Sequence, residues 1–237
     1  MEWDSESTST LRLDPTLPFQ IVYVSGNEGK LKELQTFLGD AMARHFVFYD
    51  VDLDEIQGDE AAVVTDKVQR AKEEIERALD GRGRALIQRS TVYVLVEDTS
   101  FYLTQYSADF HFPGTFCKFL VKAKGCNGFI DMVKGHDDRS CTAQATYGLL
   151  QLGQVQDNEP VLFCGECEGV IADEPRGDTL FGWDAVFQYK GSKQTFAEMA
   201  VEEKNRISHR AEAMRKLSGF IQSLMNHQGP DMNDVKQ

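Results

Sequence analysis

The chain has 237 residues, and none of its segments approaches the roughly 18–20 uninterrupted apolar residues of a membrane-spanning helix. Met1 to Pro18 is rich in Ser, Thr, Asp and Glu and lacks the apolar core of a signal peptide. Basic charge is scarce, with 25 Lys and Arg against 38 Asp and Glu, a net charge of −13 with His neutral. Such a surface repels a nucleic-acid backbone unless its cations gather in one patch. No run of Lys or Arg with interleaved aromatics is present. His45, His111, His136, His209 and His227 are scattered, with no H-E-x-x-H or H-x-H, so a structural zinc centre is not expected. Five cysteines without a secretory context are expected as reduced thiols. Cys164-Gly165-Glu166-Cys167 is a lone CxxC in a stretch that reads as a strand, and no second CxxC completes a zinc site. These absences point to a soluble cytoplasmic protein, with no membrane partner and no stable nucleic-acid binding. A small polyanion in a local pocket stays open.

What is present is ordinary for a globular domain: 41% hydrophobic and 27% charged residues, which excludes wholesale disorder. Residues 1–17 read as a disordered leader, 18–226 as one domain and 227–237 as a flexible tail. Phe19 to Val24 reads as a buried strand. The next helix carries Leu31, Leu34, Phe37 and Leu38 at helical spacing and stops at Gly39. A second strand, Phe46 to Val51, leads into an acidic loop. A long helix then places Val64, Val68, Ala71, Ile75 and Ala78 on one face. Arg82-Gly83-Arg84 beyond it reads as a solvated loop. Val92 to Val96 is a third strand, with Glu97 and Asp98 at its C-terminal end. Helical patterns follow near 114–124 and 127–134, then paired strands at 141–152 and 161–171, and a last helix from Ser208. There is no internal repeat. Strands alternating with helices early and a β-pair later predict an α/β fold with a mixed sheet.

Four constellations could carry chemistry. Ser25-Gly26-Asn27-Glu28-Gly29-Lys30 is a turn opening a helix, which aims backbone N–H groups outward and suits a phosphate. It is not a Walker A loop, because Val24 and Leu31 stand where that motif needs Gly and Ser or Thr. Asn27 also reads simply as a helix cap. The second set is acidic: Asp52, Asp54 and Glu55 after one strand, Glu97 and Asp98 after another. Hard Mg²⁺ wants one or two carboxylates plus substrate phosphates, and ligands of open α/β sheets sit at strand C-termini. Adjacent strand residues point to opposite faces, so Glu97 and Asp98 do not form a simple dyad. Phe181-Gly182-Trp183-Asp184 offers a stacking face and an acceptor, although aromatics are more often core. Lys204 with Ser208-His209-Arg210 is a cationic cluster at a helix start, where cations oppose the dipole.

Taken in order, these segments resemble the inosine triphosphate pyrophosphatase (Ham1-like) family. The likeness runs through Ser25-Gly26-Asn27…Lys30…Glu33, Asp52 to Gly58, Val96-Glu97-Asp98-Thr99 and Pro113-Gly114. It continues through Phe181 to Asp184, Gln194 to Met199, and Glu203-Lys204-Asn205…Ser208-His209-Arg210. It covers about residues 19–225. The resemblance implies an elongated mixed sheet whose flanking helices form two lobes around a cleft, and a homodimer. It further implies Mg²⁺-dependent hydrolysis of ITP, dITP and XTP to the monophosphate and pyrophosphate, with Mn²⁺ able to substitute. By position, Ser25, Gly26, Asn27, Lys30 and Lys67 would hold phosphates, and Glu55 and Asp98 the metal. Asp98 would also orient or deprotonate water, with Thr99 beside it at the substrate. Phe181, Gly182, Trp183, Asp184, Lys204, His209 and Arg210 would form the base and sugar pocket, and Lys118 is a further candidate.

The chain departs from the family pattern at Ala185 and Thr115, where the family commonly has Pro. Asp80–Arg89 looks like an insertion. The ending Asp234-Val235-Lys236-Gln237 is similar to a boundary cut after Gln, as in Ham1-like modules of some plant RNA-virus polyproteins. Two other readings stay open: a related pyrophosphatase for other modified nucleotides, and a catalytically idle binding module.

Overall fold

The computed structural model describes residues 11–106, 111–153, 159–178 and 182–226. Residues 1–10 of the expected leader, the expected tail 227–237 and Phe181 lie outside the described residues. Strand β1 (Phe19–Val24) is buried along its whole length, as a central strand covered on both faces must be. It pairs in parallel with β2 (Phe46–Tyr49) on one side and β3 (Thr91–Leu103) on the other. The sheet continues antiparallel through β5 (Ser140–Gln151), β6 (Val161–Ile171) and β7 (Phe187–Tyr189), giving the order β2-β1-β3-β5-β6-β7. A seventh strand, β4 (Pro113–Gly114), pairs only with β3. The α/β fold with a mixed sheet is therefore as the sequence predicts.

Strand β3 differs from expectation in a way that builds the site. It does not stop at Val96 but runs to Leu103, because its far edge pairs with β5 from Tyr93↔Gln151 to Leu103↔Cys141. Its near edge pairs with β1 only as far as Tyr23↔Leu95, and β4 resumes that edge at Phe101↔Gly114. Val96 to Ser100 therefore has a strand neighbour on one side only. Glu97 and Asp98 lie within a strand, beside a gap, rather than after a strand end.

Helices cover both faces. Helix α1 (Glu28–Ala43), kinked at Gly39 where φ is +64°, packs Leu34 and Leu38 on one face of β1 and β3. Helix α7 (His209–Met225) joins it there through Ala213, Met214, Leu217, Phe220 and Ile221. On the opposite face, α2 (Glu60–Ala78) lays Val64, Val68, Ala71 and Ile75 against Val22, Val92, Val94 and Val96. The antiparallel half has its own core, in which Phe101, Leu103 and Ala143 meet Phe129 and Val133 of α5 (Asn127–Val133) together with Trp183, Phe187 and Phe196. Short helix α4 (Cys117–Lys124) flanks the gap side, and α6 (Val201–Ile207) packs on α7. The cleft opens between these cores.

Two further expectations change. The segment expected as a solvated loop contains α3 (Gly81–Ile87), because the Asp80 carboxylate accepts from Gly83 N at 2.7 Å and caps it. Residues 11–17, expected in a disordered leader, are tied down. Leu11 is buried with Val22 and Val92, while Asp14 N donates to Gln20 Oε1 at 2.7 Å.

The CxxC also gains a structural explanation. Cys164 and Cys167, three apart in β6, face opposite sides of the sheet. Between them, Gly165 lets α7 approach so closely that a Cβ there would sit 2.3 Å from His209 O and Ala213 N. Gly165→Ala should therefore destabilise the fold by about 1–3 kcal/mol, read by chemical denaturation, because backbone on both sides must move.

Candidate active site

Backbone groups beside the gap need partners, since the missing strand leaves carbonyls without a ladder. Two side chains supply them. Lys67 Nζ, from α2, donates to Glu97 O at 3.3 Å, and Cys117 Sγ, opening α4, donates to Thr99 O at 3.3 Å. Burial, with Asp98 nearby, pushes the Cys117 thiol up to about 12, so it stays a protonated donor. The opening is a cleft of about 600 Å³. All the expected site residues among the described ones border it except Lys204, which lies beneath Asp184.

The turn at one end is both things the sequence allowed. Asn27 caps α1, its Oδ1 accepting from Gly29 N at 3.0 Å and Lys30 N at 3.2 Å. The same turn lines the cleft, and Gly26 passes so close to Asp52 that a Cβ would meet the Asp52 backbone at 3.3 Å.

The pleat of β3 sends its two carboxylates different ways. Asp98 Oδ1 accepts from Lys67 Nζ at 3.0 Å, and the same ammonium donates to Glu55 Oε1 at 3.0 Å. Lys118 Nζ also reaches Glu55 Oε1 at 3.0 Å. Burial raises the Asp98 carboxyl above its ordinary value, outweighing Lys67 and Lys30. Burial acts the same way on Glu55, but Lys67 and Lys118 reverse it and hold Glu55 low. Among the described residues no three His, Cys, Asp or Glu gather to cage a metal unaided.

Glu97 points to the α7 side and is fully buried. Its Oε2 lies 2.5 Å from Lys30 Nζ, and its Oε1 accepts from Thr99 Oγ1 at 2.8 Å and from Arg210 Nη2 at 3.4 Å. Arg210 also donates to Glu33 and, at 2.9 Å, to Thr99 Oγ1. Lys204 Nζ bridges Glu33 Oε1 at 3.0 Å and Asp184 Oδ2 at 2.5 Å. Burial would raise the Glu33 carboxyl, but Arg210 and Lys204 bring it down to about 2.

This corrects the picture of a cationic helix start. The charge of Arg210 is met by Glu33 and Glu97, and His209 is neutral. Burial, reinforced by Arg210 and Lys204, depresses the imidazole well below its usual value. His209 stacks near Phe196 and Trp183, at centroid distances of 6.2 and 5.3 Å. Both of its ring nitrogens, and Arg210 Nε, are buried without a hydrogen-bond partner among the described residues. Trp183 is largely a core residue, packed on Phe101 and Phe187, with one side on the cleft.

Residues 21–220 match the profile of the Ham1 family. This chain belongs to the Ham1 family. Proteins named inosine triphosphate pyrophosphatase from Phaeosphaeria nodorum and Yarrowia lipolytica are 36% and 35% identical to it. Those matches span 88% and 85% of this chain and 97% and 95% of the relatives. A HAM1 protein from Coxiella burnetii matches with a TM-score of 0.66 at 25% identity, over 86% of this chain and 99% of that one. A Ham1 protein from Staphylococcus aureus, at 20% identity and a TM-score of 0.59, shares the fold.

Within this Ham1 chain, the sequence set Glu97 in the acidic group and Glu33 in the family likeness without a site role for either, and marked Cys117 only as a reduced thiol. The helical spacing of Lys30 and Glu33, three residues apart on α1, was the available signal for Glu33. Because folding lowers the Glu33 carboxyl from 4.5 to about 2, its contribution to stability is complete above pH 4.5 and is lost as pH falls towards 2. Glu33→Gln should cost about 3–5 kcal/mol at neutral pH, by leaving Arg210 and Lys204 short of an anion. It should also flatten the acid-unfolding curve in that window, read by circular dichroism across pH.

Proposed function

We propose that this Ham1 protein hydrolyses the non-canonical purine nucleoside triphosphates ITP, dITP and XTP to the monophosphate and pyrophosphate, keeping them out of nucleic acid. The observation that carries the reading is the polarity of the cleft. Lysines and a capped helix turn line it together with His209 and Arg210, whose unpartnered nitrogens are buried behind its wall. The relatives named inosine triphosphate pyrophosphatase support it. No described helix is long and apolar enough to cross a membrane. The homodimer and cytoplasmic setting implied by the family belong to the same reading.

Glu55 and Asp98 suit Mg²⁺ or Mn²⁺. They are hard oxygen donors brought together on one ammonium at the cleft wall, and such ions take one or two carboxylates with substrate phosphates completing the shell. When bound, the metal supplies charge neutralisation to the phosphates. Ser25, Gly26 and Asn27 present the helix turn to the phosphate chain, with Lys30, Lys67 and Lys118 opposing its charge. Asp98 accepts a proton from water attacking the α-phosphorus, and the bond to the bridging oxygen breaks as pyrophosphate leaves with the electron pair. Lys67 holds one oxygen of Asp98 and fixes its direction. At the far end, Gly182, Trp183 and Asp184, with Phe181 preceding them in sequence, flank the base and sugar. Arg210 only donates, so it suits the 6-keto oxygen of hypoxanthine, an acceptor, and rejects the 6-amino group of adenine.

Incubation with Mg²⁺ and a panel of ITP, XTP, dITP, ATP, GTP and dTTP should yield pyrophosphate from the first three, with ATP slow. Orthophosphate as the product would defeat the proposed reaction. Asp98→Asn should keep its circular dichroism spectrum and lose about 10²–10⁴-fold in kcat. Arg210→Ala should narrow the ITP-over-ATP ratio of kcat/KM by about tenfold or more, and an unchanged ratio would remove Arg210 from base selection.

A further inference from the structure

Six side chains form an unbroken line of alternating charge, of which Lys30, Glu97, Arg210 and Asp184 border the cleft. Lys30 meets Glu97 at 2.5 Å, Glu97 meets Arg210 at 3.4 Å, and Arg210 meets Glu33. Glu33 meets Lys204 at 3.0 Å, and Lys204 meets Asp184 at 2.5 Å. Three cations and three anions cancel, and no member's side chain is more than 17% exposed. Lys30 stands in the turn at one end and Asp184 beside Trp183 at the other. Each interior member is shared between two partners of opposite charge, so strengthening one contact weakens the next.

We infer that Glu97 is a positioning residue that couples the two ends of the cleft, making the strength with which Lys30 holds a phosphate depend on the ion pairs around Arg210 and Lys204. The inference rests on the reading that phosphates sit at the Lys30 end and the base at the Asp184 end. The direction follows from the sharing. If Lys204 is lost, Glu33 leans wholly on Arg210 and draws it from Glu97. Glu97 then holds Lys30 more tightly, and a phosphate competes less well for that ammonium. A buried lysine that does not border the cleft thereby tunes affinity for a ligand with no base at all. Lys30 and Lys204 share no partner in this line, and sites without a shared partner ordinarily act additively. The line of pairs supplies the linkage, and linkage is reciprocal for binding free energies.

Tripolyphosphate, which has phosphates and no base, is the probe, with its Kd measured by titration calorimetry. Lys204→Met should weaken tripolyphosphate three- to tenfold in the otherwise native chain. In a Glu97→Gln background the same change should alter Kd less than about 1.5-fold, since the link is cut. A simple loss of positive field would persist in that background, and such persistence overturns the inference. If Glu97→Gln does not fold, Lys30→Gln serves as the background. There a relayed effect has no ammonium to reach, while a field effect on Lys67 and Lys118 remains. An unchanged Kd for Lys204→Met in the native chain, or no binding of tripolyphosphate to that chain, also overturns it. Failure of the enzymatic reading is seen separately, as absence of ITP turnover by the unsubstituted protein.

Discussion

The site depends on one missing stretch of strand pairing. Strand β3 is straddled on its β1 side by two neighbours that do not meet, so five residues from Val96 to Ser100 have a bare edge in the middle of a sheet. A bare edge inside a protein is costly unless its carbonyls find donors. Here the donors are Lys67 and Cys117, and each brings an element with it, α2 and α4, to wall the opening. The cavity and the groups that stabilise it are thus the same residues.

Strand pleating then divides the chemistry. Glu97 and Asp98 are neighbours in sequence and could easily have repelled each other across one pocket. Opposite directions give each its own cations: Lys67 for Asp98, Lys30 and Arg210 for Glu97. Burying so many charges contributes little net stability, because desolvation offsets most of the attraction. Their value lies in placement. The buried carboxylates are each held by a paired donor, the placement that charge stabilisation in a reaction requires.

Much of this was legible in the sequence. The apolar run at Phe19–Val24, the facing pattern of α2 and the paired strands after residue 140 are periodic signals, and they appear where the periodicity puts them. Asn27 was readable as a cap, and the family likeness picked out Lys67, which does border the cleft. The extension of β3 was not readable, because polar residues from Glu97 to Ser100 interrupt the apolar run and resemble a strand end. Only the distant partner β5 keeps them extended. The neutral state of His209 was hidden for a similar reason. Burial and two adjacent cations decide it, and of these three only Arg210 is visible in the triplet Ser208-His209-Arg210. Cys117 looked like one more reduced thiol until Thr99 O gave it a partner.

Because the opening is a difference in strand lengths, its depth is a countable quantity. Strand β1 ends at Val24, and β3 continues seven residues past Val96, to Leu103. Two more strand residues on β1 would extend the ladder across the step and bring the turn at Ser25–Asn27 down onto Asp98. Two fewer would retract that turn from its opposing wall. This boundary behaves as a ruler for the opening. Evolution of the depth of this cleft would therefore proceed by insertions and deletions at the end of β1 as readily as by substitution.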